Sequence, residues 1–582
     1  MPYAKNHIRV KVPHRSGFDK SHRNSGTAMC GTLVPILCDE VIPNSRVSLR
    51  VPINAQMPPL ASNTYMNVKL KLEAFFVPMR LLCGSFESWF TDFPKRLQAA
   101  VPNQSSPNTL LWADVKGSLP VAVLENDGEN PFPYSAFGAG TLADYLGCKF
   151  DSIYSDQAGY TISLLPFLAY HKVWEDYYRN PRVQNPAFAP FERNVTEATP
   201  LRVSSCPFDF LHGAYTDPGS TAVSQNYSLY IKKAADLNDF MLADGTNLFG
   251  LRQRNFGLDY FTGSRVSPQQ GDASSVSFSI SGTATEEGLV SGEGSITIAA
   301  IRASNSIQQF RERNNLPSPR MQDQVSARYG ANLADGVAQR PICIGTATYD
   351  MQSSGVNQTA GGSGGVSGNP FSSVAAQYGR ASVSGNDFLI NDFTANEPGY
   401  IMVLMSQVPE VSYSFGVDKM FSRYSTPATL VNMANPLLQN VGDEPIYRTE
   451  LTNVLMQPYY DDIFGYTDRY AGFMFKPNQV HGQFVEATSG SSYAGTLPSF
   501  VLQRSLQGTS HSLSSSFLQI PTSYMNGILA VSADTAKCTY WYDCILDYKV
   551  SQPLAEFSIP SLQDPAYEHG ETVNLRRNGQ IF

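Results

Sequence analysis

From Val68 the chain alternates strictly between apolar and polar residues, VKLKLEA, then turns continuously apolar through Phe75, Phe76 and Val77. A period of two puts Val68, Leu70 and Leu72 on one face and Lys69, Lys71 and Glu73 on the other, which predicts an antiparallel strand with one face in a core. Pro78 cannot donate to a ladder and marks its end. The same pattern predicts strands over residues 31–42 (interrupted by Pro35), over 47–51 and, most clearly, over the apolar run 399–408, GYIMVLMSQV. Residues 471–475, 528–531 and 539–546 are further strand candidates. The period changes to three and four over residues 85–93 and 164–180, which predicts short helices. The second opens with Pro166 near its first turn. It carries Phe167, Tyr170, Trp174 and Tyr178 on one face, a pattern that suits core packing. Residues 304–313 and 321–329 read as two more short helices around a proline-containing turn.

Strands near both ends with long turn-rich insertions between them predict one mainly β, antiparallel sandwich with enlarged loops, better than a string of domains. The expected divisions are a basic arm over 1–26, a first sandwich part with a helical loop over 27–192 and an insertion over 193–300. A helical loop region follows over 301–351, then a Gly/Ser-rich flexible loop over 352–385, and a second sandwich part with a C-terminal tail over 386–582. Within the insertion, residues 272–300 are rich in Ser, Gly and Thr with short alternating runs such as VSFSI, which reads as an exposed hairpin.

Composition sharpens this. Only 16% of the 582 residues are charged, below the ~25% usual for soluble domains, whereas Tyr and Phe number 30 and 33. Such a chain is expected to bury much of its surface against other chains. The net charge is −8, but residues 1–26 hold six Lys and Arg against one acid, Asp19. That segment is therefore +5 and the remainder −13. A basic arm on an acidic body fits contact with a polyanion through one small region. Lys5, Arg9, Lys11, Arg15, Lys20 and Arg23, spaced among polar, Pro and Gly residues, are candidate phosphate contacts, and Tyr3 and Phe18 candidate stacking partners for unpaired bases. Tying neighbouring subunits together is the alternative role for the same arm. Arg576 and Arg577 form a second small basic tail.

Eight cysteines occur without a CxxC or a zinc-spaced Cys/His set, which reads as reduced, mostly buried thiols of a protein made in a cytoplasm. The N-terminus lacks the apolar core of a secretion signal, and no run reaches the ~18 apolar residues of a membrane span. No phosphate loop, HExxH, GxSxG or EF-hand pattern is present. His171 reads as a packing or surface residue, and Asp461-Asp462 as a turn or a cation contact. No catalytic residue, metal ligand or cofactor is expected.

Several blocks resemble the major capsid proteins of microviruses, in particular the gokushovirus branch. They are Phe18-Asp19-Lys20-Ser21-His22, GTLVPILCDEVIP from Gly31, AFFVPMRLL from Ala74, LRQRNFGLDYFT from Leu251, and FGYTDRYA from Phe464 followed by Phe475-Lys476-Pro477. Each is weak alone, and their order and spacing make the likeness specific. The resemblance implies an eight-stranded antiparallel jelly-roll with long loop insertions, sixty copies of which form a T=1 icosahedral shell around a circular single-stranded DNA phage genome. It also implies host attachment through a surface protrusion, expected within 193–300. The implied partners are further copies of itself, a small basic DNA-packaging protein, an internal scaffolding protein, a pilot protein and a host cell-surface receptor. The implied location is the virion, after synthesis and assembly in the host bacterial cytoplasm. Phe464, Tyr466 and Tyr470 are candidate subunit contacts, which core packing explains equally well. A trimeric receptor-binding spike or adhesin β-sandwich is the alternative reading, although it has no need of a basic arm. A glycan-processing enzyme would need paired acids that a single sequence does not locate.

Overall fold

The computed structural model describes residues 15–62, 64–65, 67–83, 86–91, 95–100, 110–115, 119–124, 137–150, 160–188, 231–234, 242–268, 283–284, 290–291, 298–315, 320–330, 334, 339–358, 377–422, 443–455, 462–487, 493–530 and 537–554. Among these, the chain is mainly β, and its centre is an eleven-stranded sheet. The strands are β1 (Ser16–Asp19), β2 (His22–Ala28), β3 (Val34–Val41), β4 (Ser45–Arg50), β5 (Ile53–Gln56), β6 (Val68–Pro78), β7 (Ile342–Gln358), β8 (Gln377–Gly385), β9 (Phe388–Ala395), β10 (Gly399–Pro409) and β11 (Tyr540–Gln552). Their order is β9-β4-β11-β5-β8-β7-β6-β10-β3, with β1 and β2 along the other edge of β11. Every pairing in it is antiparallel.

The sheet closes over one core. Val47 and Leu49 of β4, Leu70 and Leu72 of β6, Ile401, Val403 and Met405 of β10, and Tyr540, Tyr542, Leu546 and Tyr548 of β11 belong to a single buried cluster. Strand β11 makes the corner: Trp541 to Cys544 pair with β5, and Asp547 to Ser551 with β4. Its burial alternates without a break over thirteen residues, so that one face is core and the other outward.

A second cluster explains why β6 changes character midway. Phe75 and Val77 leave the main core and pack, with Tyr400, Met402 and Leu404 of β10, against the helix Leu165–Val173. Where that helix covers the outer face, both faces of β6 and β10 are buried and the sequence must be continuously apolar. Where the cover ends, Lys69 and Lys71 are half-buried and alternation returns, with Glu73 at the boundary beneath Tyr178. Phe167, Tyr170, Trp174 and Tyr178 are all buried in this second cluster, and residues Trp174–Tyr178 continue the helix as a π-turn.

Two expected strands are something else. Residues 471–475 form the short helix Ala471–Met474, because Tyr470 takes a left-handed φ of 65° and the Phe475 N–H folds back to the Ala471 carbonyl at 2.8 Å. A five-residue apolar run cannot distinguish the two by period. Residues 528–530 follow the 3-10 turn Thr522–Gly527 and contribute the bridge Leu529 to Leu60, while residue 531 lies outside the described set. Conversely, the ends of the Gly/Ser-rich region 352–385 are strand, where Gln352 to Gln358 of β7 pair with β8. Residues 359–376 lie outside the described set, as do most of 193–241 and 269–297, including the run VSFSI. The helices at 304–313 and 321–329 are observed as Ile298–Asn315 and Met321–Tyr329.

Candidate nucleic-acid and subunit interfaces

From Ser16 onward the expected arm is paired into the sheet, as β1 and β2 run antiparallel to β11. Polar residues suffice there, because β11 supplies the ladder and the inward tyrosines. Arg15 donates to the Asn44 side chain at 2.6 Å, Lys20 pairs with Asp39 at 2.8 Å, and the Arg23 fork meets Asp543 at 2.7 and 2.6 Å. Hydrogen bonds from Arg23 and Ser25 hold the Asp543 carboxyl down at about 2. Lys5, Arg9, Lys11, Tyr3, Arg576 and Arg577 lie outside the described residues.

Beside β1 the structure also gathers charged groups that charge-counting along the chain did not find. A shallow groove beside β1 is lined by Phe18, Asp19, Arg46, Asp392 and Lys549. Arg46 pairs with Asp392, and Arg50 lies over the Phe388 ring at 5.4 Å. The signal was present, since Arg46, Ser48 and Arg50 are the outward positions of a strictly alternating strand. Bases and acids nearly balance on this face. Phosphate contact here requires each base to exchange a carboxylate for a phosphate, which limits the counterion release that drives such binding.

The aromatic candidates fall differently. Phe464 is in the main core, 4.8 Å from the Phe517 ring and 6.4 Å from Phe261. Tyr470 is buried too, whereas Tyr466 is half-buried. The block 464–471 docks onto the block 251–265. Tyr466 and Arg265 exchange backbone hydrogen bonds at 2.7 and 2.8 Å. A Cβ on Gly465 would lie 2.9 Å from the Ser264 hydroxyl and 3.0 Å from the Arg265 carbonyl oxygen, so a larger residue would push the two blocks apart. Arg265 then reaches Asp443 at 2.8 Å and Asp468 at 2.5 Å.

The arginines of the 251–262 block are internal. Arg254 binds Glu73 at 2.5 and 3.1 Å and the Ser406 hydroxyl at 3.0 Å. The Tyr178 hydroxyl completes the cluster with a 2.5 Å bond to the same carboxylate. Burial opposes the Arg254 charge, but the bond to Glu73 raises its pKa on balance. Arg252 pairs with Asp244, donates to Thr246 at 2.8 Å and lies 4.2 Å over the Trp174 ring. Its Nε donates to His171 Nδ1 at 2.8 Å, and His171 Nε2 in turn meets the Leu248 carbonyl at 2.8 Å. Burial and the Arg252 charge push the His171 pKa well down, so the ring is neutral and structural. Asp259 accepts from the Phe261 and Thr262 N–H groups at 2.9 and 2.7 Å and from the Tyr413 hydroxyl at 2.7 Å. These blocks staple the helix and the 242–268 segment to the sandwich.

Asp462 precedes the strand Ile463–Thr467 and is buried, while Asp461 lies outside the described residues. Among the described residues no group of three or more His, Cys, Asp or Glu is placed to hold a metal. No helix of theirs is long and apolar enough to cross a membrane. Burial pushes the Cys38 thiol up to about 12.

Comparison with known proteins matches residues 6–562 to a family model described as capsid protein (F protein). Among curated relatives, capsid protein VP1 of Chlamydia phage 1 is 23% identical over 94% of this chain and 96% of its own length. Capsid protein VP1 of Bdellovibrio phage phiMH2K is 23% identical over 94% and 95%. That of Spiroplasma virus 4 is 22% identical over 80% and 82%.

Proposed function

The chain belongs to the capsid protein (F protein) family, and from that premise we propose that it closes as sixty copies into a T=1 icosahedral shell around a circular single-stranded DNA genome. Membership makes its role structural: a phage major capsid protein that self-assembles and resides in the virion. The observation that carries the proposal is the end-to-end match, which spans 94% of this chain and at least 95% of two capsid relatives. A closed shell needs only modest contacts, because closure repeats each one around the symmetry axes. An eight-stranded jelly-roll is the sandwich this reading assigns to the curled antiparallel sheet.

Assembly in the host cytoplasm, with a small basic packaging protein, an internal scaffold and a pilot protein, belongs to the same proposal. The segment ahead of β1, with Lys5, Arg9 and Lys11, takes the genome contact, because the bases from Arg15 onward already have partners in the sheet. The host-attachment surface belongs to the parts of 193–300 on either side of 242–268, since Phe249, Arg252, Phe256 and Phe261 of that middle segment are buried in the subunit; deletion of 272–296 leaves particles intact while abolishing adsorption. Negative-stain microscopy of purified particles, with nuclease-protected nucleic acid extracted from the same fraction, tests the whole reading. Uniform closed particles holding single-stranded DNA are expected, and free trimers without nucleic acid would overturn it.

A further inference from the structure

Assembly requires that some surface of each copy be covered by the next, and the structure singles out where. We propose that the apolar face formed by the helix Lys419–Ser422 and the segment from Phe473 to Lys476 is a contact between copies of this chain, a proposal that rests on the shell reading above. Met420, Phe421, Phe473, Met474, Phe475 and Tyr493 are each between 54% and 67% exposed. An ion pair between Asp418 and Lys476, at 3.4 Å, brings the two segments together. Tyr493 joins the same region through the Phe415 ring at 6.0 Å, beside a groove that runs on to Leu455 and His481. Exposed apolar residues scattered singly need no explanation, but a cluster of six large ones is the signature of an interaction surface.

The cluster is held rigidly for presentation. Lys419 turns inward from the same helix that turns Met420 and Phe421 outward, donating to the Pro445 carbonyl at 2.7 Å and pairing with Glu444 at 3.3 Å. Asp418 caps the helix by accepting from the Met420 N–H at 3.0 Å. Tyr470, buried and 6.2 Å from the Phe473 ring, fixes the other segment. A face whose backbone is already ordered loses little further entropy on docking.

The occupant follows from the family, since a capsid protein is covered chiefly by further copies of itself. The chain carries a net −8, so the attachment of two like-charged copies must draw on apolar area such as this. The one ion pair joining these two segments, Asp418 with Lys476, is internally neutral and adds no repulsion where the faces meet. The interface residues are therefore the neighbours of Tyr470 on the aromatic block, while Phe464 and Tyr470 serve the core beneath.

The test is a full-length chain carrying Phe421→Glu and Phe475→Glu, compared with the parent by urea unfolding and by sedimentation. An unchanged unfolding midpoint, with the fast-sedimenting shell fraction replaced by slow species, is expected. Shells at the parental level would overturn the assignment. Hydroxyl-radical footprinting of the parent decides the matter even if the double variant fails to fold. Phe421, Met474, Phe475 and Tyr493 should be oxidised in dissociated subunits and protected in shells. Equal oxidation in both, or protection already in the dissociated subunit, which would mean that the chain's own residues cover the face, overturns it. A parent that forms no shells at all refutes the shell reading itself, and this contact with it.

Discussion

Arg254 and Arg23 are both bidentate partners of a carboxylate, yet they belong to two different regions and do different work. Arg254 binds Glu73 under Tyr178, with both side chains less than a fifth exposed. Arg23 binds Asp543 on the outward face of β11, with 70% and 42% of the two side chains in solvent. In the interior, each charge has given up its water and depends on the other. On the outer face, water and salt replace either partner. A sequence block rich in arginine therefore need not touch nucleic acid: here the 251–262 arginines are staples, and the exposed bases are the ones free to exchange partners.

The comparison is broken most directly by removing Arg254. Arg254→Ala leaves Glu73 buried without its cation and should lower the stability of the free subunit by ~3–5 kcal/mol in urea unfolding. A loss below about 1 kcal/mol, the ceiling for surface pairs, would put the two regions on a par. Tyr170→Phe is the next largest. Its hydroxyl donates to the Leu33 carbonyl and accepts from the Arg252 N–H, both at 2.8 Å. Leaving both groups unpaired should cost ~1–3 kcal/mol.

Acidification sharpens the contrast further. His171 has a pKa pushed well below its ordinary value of 6.5 in the fold. The unfolded chain therefore binds a proton below about pH 6.5 that the folded chain refuses, and stability falls as pH drops below that point, by up to ~1.4 kcal/mol per pH unit. His171→Gln, which does not titrate, should lack that slope in urea midpoints measured between pH 7 and 5.5. The smallest effect belongs to the surface. Arg23→Gln should leave the urea midpoint nearly unchanged, with any difference vanishing at high salt. Replacing Lys5, Arg9, Lys11 and Arg15 by Gln should leave stability nearly unchanged. It should flatten the log–log salt dependence of single-strand binding by roughly 0.7 for each phosphate that the arm no longer neutralises. An unchanged slope would make the segment purely structural.

Much of this architecture is legible along the chain, and the failures share a cause. Strands β4, β6 and β11 and the helix Leu165–Val173 are marked by regular periods, and β10 by an unbroken apolar run. Strands β1, β2 and β7 are not, because their residues are mostly polar or small and they are strands only through the neighbours they pair with, and β9 is not because its register against β4 shifts twice and breaks the alternation. The helix Ala471–Met474 reads as a strand because five apolar residues fit either period, and a positive φ at Tyr470 decides between them. At the candidate interfaces, the bases are visible from composition, but their partners are not, whether as near as Asp39 to Lys20 or as far along the chain as Asp543 from Arg23.

By itself, the sequence determined the antiparallel β character, the buried central strand, the position of the aromatic helix and membership in a capsid family. Each of these is written in local periodicity or in ordered blocks. Only the tertiary structure decided that the two arginines of one block face inward, that Phe464 and Tyr470 are core, and that Phe421 and Phe475 are surface. Hydrophobic pattern reports that a side chain avoids water, and burial within one chain and burial against the next satisfy that demand equally. Which of the two occurs depends on what the fold has already packed against it.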